Sequence, residues 1–355
     1  QVGLFGNVGV SGLVSGVVVN GANISGGDQV GGIAGYSVGK IYRAGVGGSS
    51  TISGLNGGYD NVGGIVGAQA KPGIVEECFV DSGVTVQSTG GGQLGGIAGS
   101  STGTAATAGN FSTIKNSYSR ATVSGNLDRF GGMAGYSTYT QYLNNYFAGI
   151  SNDTNGTGLE RGIVGWDSTG TIISGNIYDA TVCTPASSYC SSASQPEALG
   201  VSTALAKSVT TYVGAGWDFA TVCTTPGQVM TGQYPTLIWQ AGQAAFGTPP
   251  TAVNSITYSG GNGSVGTPYL ISNANDWNAF VFDRSRWTNT ANNFKLTADL
   301  DFSGAVLNVI GSSSYPFTGQ FDGQNHTISN FTMSGTLQVG LFGNVGVSGL
   351  VSGVV

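Results

Sequence analysis

The chain has 355 residues, of which 63 are glycine, 40% are apolar and only 8% are charged, with a formal net charge of −6. Glycine without a Gly-X-Y period excludes collagen, and an apolar, weakly charged composition excludes disorder. The eleven lysines and arginines are scattered singly, which argues against a nucleic-acid partner, and no apolar run is long enough to span a bilayer.

In chain order, the first element is QVGLFGNVGVSGLVSGVV at Gln1–Val18. It returns, identical at every position, at Gln338–Val355, a period of 337 residues. This predicts one period, plus a short overlap, of a tandem array. Because Gln1 lies inside a repeat, the lack of a signal peptide carries no information.

A shorter repeat follows, apolar-Gly-Gly-apolar-small-Gly. It appears as VGGIAG at Val30, VGGIVG at Val62, LGGIAG at Leu94 and FGGMAG at Phe130, with degenerate copies at Val2 and Glu160. The spacings are 28, 32, 32, 36 and 30 residues, in the range of solenoids, propellers and arrays. Each signature is followed by a strand-like piece such as KIYRAGV or GIVEECFV, in which apolar residues alternate. Few two-residue hairpin turns are present, which disfavours a propeller. The expected fold is all-β: a right-handed parallel β-helix, or β-solenoid, with short helical and aromatic caps, repeated as tandem modules. The signature glycines (Gly31, Gly32, Gly63, Gly64, Gly95, Gly96, Gly131 and Gly132) are expected to supply sharp turns and close backbone approach.

After Tyr178 the pattern dissolves. Residues 1–179 are expected to be coils completing a preceding module, and 180–243 a C-terminal cap with Trp217 and Trp239 plugging the core. PEALGVSTALAKS predicts a short helix from Pro196. Cys183 and Cys190 suit a local disulfide, with Cys223 a competing partner and Cys78 a buried free thiol; the disulfide favours an oxidising, extracellular setting. Residues 244–255 predict a linker. Residues 256–355 predict an N-terminal cap and the first coils of the next module. That cap contains a helix from about Asn275 with Trp277, Phe280 and Val281 on one face, capped by Asn273 or Asn275. FKLTADLDF then alternates strictly.

The order GTPYLI, DW, FKLTADLDF, FTGQFDGQNHTISNFTM, VGLFG, repeated VGGIAG units and a final GWDF and YPTLIW resembles the GLUG-repeat proteins. Similar sequences occur in large bacterial surface adhesins and filamentous haemagglutinin-like proteins. The resemblance covers nearly all of the chain apart from the cysteine loop and linker. It implies a parallel β-helix, export to the cell surface and a structural or adhesive role, and it supplies no catalytic residues.

Several side chains invite chemistry. Asp299, Asp301 and Asp322 could serve a polysaccharide enzyme, but outward-facing and turn roles account for them, and acid/base work needs a second pair and a cleft. Asp28, Asp60 and Asp128 each precede a signature by two residues and would stack at one corner, with Gly92 breaking the column. They are weak calcium candidates, and Asx-turn roles are the commoner alternative. His326 stands alone. Asn-X-Ser/Thr triplets at Asn23, Asn110, Asn152, Asn155, Asn262, Asn325 and Asn330 are expected by chance. Cap and core packing is the expected role of Trp166, Trp217, Trp239, Trp277 and Trp287.

The sequence thus predicts a non-enzymatic structural subunit of an extracellular bacterial fibre or giant adhesin. It takes no cofactor, and its main partner is itself, head to tail and by lateral bundling. A carbohydrate-binding adhesin that meets surface glycans is the alternative, and a β-helix polysaccharide lyase or hydrolase the third.

Overall fold

In the computed structural model, all residues are described except 56–59, 89, 91, 106–109, 127–128, 154–158, 184–197, 218–222, 225–232, 238, 241–257, 303–306, 308–309, 312–315, 332, 334–339 and 355. The chain divides into two compact units, Gln1–Thr203 and Ala204–Val355.

The first unit is a parallel β-solenoid, as the repeat spacing predicts. Short strands such as Ala34–Ser37, Val66–Ala70, Ala98–Thr102 and Ala134–Thr138 pair in parallel, each with its counterpart one coil on. Five sheets run along the stack, two of six described strands and one of seven, so six coils are stacked and a seventh begins. Register follows the signature: Val30, Val62, Leu94 and Phe130 lie in one column, with Gly31, Gly63, Gly95 and Gly131 beside them. Columns such as Ile33, Ile65, Ile97, Met133 and Ile163 are fully buried. Each coil alone is two-faced, and only stacking turns its apolar face into a core.

One expectation about the glycines is corrected. None of the eight signature glycines has positive φ. Their role is close approach: a Cβ on Gly32 would lie 2.5 Å from the carbonyl oxygen of Gly64 and 2.5 Å from Cγ2 of Val46. In the last described strand of the signature sheet, Arg161 takes the column of Gly131 and pairs with Asp167.

Left-handed turns fall instead at another corner, in the column Gly16, Arg43, Glu77, Asn116, Asn144 and Gly175, with φ between 51° and 68°. Asparagine tolerates this region, whereas arginine and glutamate do so at a cost. There, Arg43 Nε donates to Glu77 Oε2 across one coil step at 2.7 Å.

The expected helix from Pro196 is also corrected. Pro196 lies outside the described residues, while Ala198–Val201 is a strand paired in parallel with Asn176–Asp179, and the helix begins only at Thr203–Ala206. The exposed edge of Asn176–Asp179 carries unpaired backbone groups, and pairing them outweighs the local helix preference of Ala-Leu.

The second unit holds a four-stranded parallel sheet of Tyr269–Ile271, Asn293–Leu296, Gln320–His326 and Leu350–Val354. The predicted helix is present as Ala274–Phe282. Asn273 is its cap: the N–H of Asp276 donates to Asn273 Oδ1 at 3.0 Å, and Asp276 Oδ2 in turn accepts from Asn273 Nδ2 at 3.0 Å. Trp277 and Phe280 are fully buried, and ring contacts join them to Phe294, Phe302, Phe317, Phe321 and Phe342.

Candidate functional surface

A polar ladder runs beside the left-handed corner. The backbone N–H of Cys78 donates to Ser117 Oγ at 3.0 Å, that of Ser117 to Asn145 Oδ1 at 3.0 Å, and that of Asn145 to Asn176 Oδ1 at 3.1 Å. Each side chain accepts from the coil before it, so the turn repeats with its buried backbone donors satisfied. Cys78 is fully buried, and burial pushes its thiol up to about 12. It is a free cysteine, whereas Cys183 is buried and disulfide-bonded. Cys190 and the side chain of Cys223 lie outside the described residues.

Several charged side chains are ion-paired along the stack. Glu76 accepts from Lys40 Nζ at 2.7 Å and from Lys115 Nζ at 2.9 Å, which belong to the coils on either side. Arg120 pairs with Asp81 across another coil step. These rows tie one coil to the next.

The carboxylates named above as enzyme candidates are each held by a neighbour. Asp299 accepts from the N–H of Thr327 at 2.9 Å and meets His326 Nδ1 at 3.0 Å; those two contacts, in that order, hold its pKa below the usual aspartate range. Asp301 accepts from Asn330 Nδ2 at 3.0 Å, and Asp322 from the N–H of Gln324 at 3.0 Å. The lone histidine therefore bridges two coils.

Of the corner aspartates, Asp28 and Asp60 meet on neighbouring coils. Asp60 pairs in register with Gly92, and the N–H of Asp28 donates to Asp60 Oδ1 at 3.1 Å. Asp60 is fully buried, and Ser88 Oγ donates to its other oxygen at 3.3 Å. Asp28 has φ of 59°, which suits an Asx-type corner. Asp128 lies outside the described residues. Among the described residues, no three His, Cys, Asp or Glu side chains are grouped to hold a metal ion.

The role expected for Trp166 is corrected: it is 43% exposed. Alternation decides this, because its neighbour Asp167 falls in the column of the buried Gln69, Ser101 and Ser137. Trp166 lies in register with Tyr136 on the neighbouring coil, and the Arg129 guanidinium lies 5.1 Å from the Trp166 ring and 5.2 Å from that of Tyr136. Trp217 is buried edge-on to Tyr212, with ring centroids 5.0 Å apart, while Trp239 is half-buried. Period-2 counting could have located Trp166; the ladder had no marker in the sequence.

Among the described residues, no helix is long and apolar enough to cross a membrane. An alignment over 122 positions, covering 30% of this chain and 1% of the relative, is 37% identical to a part of Halomucin from Haloquadratum walsbyi. The chain therefore corresponds to a very small portion of that relative. No protein-family model matches the chain, and no solved structure matches it.

Proposed function

We propose that the chain is a structural repeat of an extracellular bacterial fibre or giant surface adhesin, built from tandem β-solenoid modules of 337 residues joined head to tail. The observation that carries this reading is the eighteen-residue segment shared by Gln1–Val18 and Gln338–Val355 in a chain whose coils stack in parallel. Each coil adds a rung of backbone hydrogen bonds and a slice of core about 4.8 Å thick, so length is gained at constant cross-section. The motif order shared with GLUG-repeat proteins supports the reading, and the similarity to part of Halomucin is compatible with a surface role. The protein on this reading is not an enzyme and takes no cofactor. Its main partner is the adjoining repeat.

Electron microscopy of native material, with the intact mass of its subunit, tests the proposal. Filaments with an axial repeat matching one module, and a chain several periods long, are expected. A monodisperse particle of one period would remove the fibre.

A second reading, a carbohydrate-binding adhesin, is favoured by Trp166, Tyr136 and Arg129, since exposed indole and phenol faces stack on sugar rings while a guanidinium binds polar or acidic groups. Titration with neutral and acidic polysaccharides, followed by tryptophan fluorescence in the chain and in Trp166→Phe, tests it. Equal signals from both proteins would rule out this patch.

A further inference from the structure

The two copies of the eighteen-residue segment occupy different surroundings. At the start of the chain, the segment is paired on one side only, to the coil that follows it. Phe5 N–H donates to the carbonyl of Ile33 at 2.8 Å, and the carbonyls of Val8 and Gly12 accept from Val38 and Lys40, both at 2.9 Å. At the end of the chain, the segment is paired to the coil that precedes it. The carbonyls of Leu341 and Asn344 accept from Ile310 at 3.0 Å and Phe317 at 2.9 Å, and the N–H groups of Gly346 and Leu350 donate to Phe317 at 2.8 Å and Gly319 at 3.1 Å. Translated by one period, the second set belongs to positions 4, 7, 9 and 13, and the first to positions 5, 8 and 12. Among these bonds, no backbone group is used twice.

Burial is complementary in the same way. Phe5 is 42% exposed, whereas its counterpart Phe342 joins the rings of Phe280, Phe317 and Phe321. Val8 is 5% exposed, whereas its counterpart Val345 is 43% exposed. The backbone nevertheless turns alike at two points in both copies: Gly16 and Gly353 have φ of 68° and 63°, and the turns Gly9–Gly12 and Gly346–Gly349 close with N–H to carbonyl bonds of 2.8 and 2.9 Å.

We infer that the open face of the described part of the second copy, residues 340–354, is an interaction surface whose partner is a second copy of this chain's residues 19–47. The segment is then a single coil shared by two periods, not a seam between two modules. Register continues through it: Phe321 faces Val351, the equivalent of Val14, which faces Ile41. The sheet of Tyr269–Ile271, Asn293–Leu296 and Gln320–His326 thereby runs on through Lys40–Tyr42 to Ile172–Ser174 of the next period, as one nine-stranded sheet. The open pocket of about 410 Å³ lined by Val2, Leu4, Val19 and Ile24 is where the preceding coil of the neighbouring period packs. The inference rests on the tandem reading proposed above.

Thiol labelling tests it. A two-period chain, residues 1–355 followed by residues 19–355, places the middle copy of the segment between both neighbours. Val345→Cys should react with maleimide in the 355-residue chain and at least roughly tenfold more slowly in the two-period chain. Val347→Cys is the control, because Val347 and its counterpart Val10 are exposed in both settings, at 108% and 67%; it should react equally in both chains. An unchanged rate for Val345→Cys overturns the inference. The unsubstituted chains give a second readout: the two-period chain should melt at higher temperature, and an equal Tm also overturns it. Slowed labelling without filaments in native material would keep the shared coil and remove the fibre, and filaments with unchanged labelling would do the reverse.

Discussion

Asn176 Oδ1 accepts both the backbone N–H of Asn145, at 3.1 Å, and its side-chain Nδ2, at 2.9 Å, one coil away. Both residues are fully buried. The amide of Asn145 also donates to the carbonyl of Ile114 at 2.9 Å and accepts from Ser117. Asn145→Ala removes the three side-chain bonds, keeps the backbone bond to Asn176, and leaves the Ser117 N–H buried without an acceptor. The expected loss is about 3 kcal/mol, since each orphaned buried group costs roughly 1 to 3 kcal/mol. Asn152→Ala, which removes only an exposed bond to Ser124, should change stability by less than about 0.5 kcal/mol. Urea denaturation of both variants checks the contrast.

The signature glycines give a graded test. A Cβ on Gly32 meets backbone oxygen and a core valine at 2.5 Å, whereas one on Gly9 meets nothing within 4 Å. Gly32→Ala should cost about 3 kcal/mol, because a coil fixed by rungs on both sides cannot move away. Gly9→Ala should be neutral within about 0.5 kcal/mol. Equal thermal shifts for the two would refute the close-approach account.

Glu76 links pH to stability. Burial works against its charge, but the Lys40 and Lys115 ammonium groups outweigh it and hold its pKa below the usual glutamate value. A folded pKa below the unfolded value of about 4.3 means that the contribution is complete above that pH and is lost as pH falls through the folded value. Wild type should exceed Glu76→Gln by about 1 kcal/mol at neutral pH and low salt. The gap should close below about pH 4, as measured by denaturation across pH.

Cys78 should be chemically silent in the folded chain. With its thiol pushed up to about 12 and no exposure to solvent, it holds almost no thiolate at neutral pH. Maleimide should modify it only in denaturant. Modification of Cys78 at the native rate of a free thiol, read by peptide mapping, would contradict its burial in the ladder.

The two helices expected from the sequence show how local signals compare with tertiary ones. The candidate caps Asn273 and Asn275, with Trp277, Phe280 and Val281 on one face, marked the helix observed at Ala274–Phe282, because cap and core pull the same way there. At Ala198–Val201 they pulled apart: helix-forming residues lie beside an open strand edge, and the edge won. Trp166 is a similar case, since its size suggested burial while the parity of its strand turned it outward.

The sequence by itself determined the all-β solenoid, the 337-residue period and the glycine columns, because strand alternation and the recurring GG signature are local patterns that survive loops of unequal length. Only the tertiary structure decided the ladder. Its members Cys78, Ser117, Asn145 and Asn176 are separated by 39, 28 and 31 residues, and no fixed spacing brings a cysteine, a serine and two asparagines into one column. The physical reason is that hydrogen bonds between coils depend on register, and register is set by how each loop of variable length closes against the coil before it. The same holds for the repeated segment: its identity is legible in sequence, but only its two sets of backbone partners show that one coil can serve two neighbours.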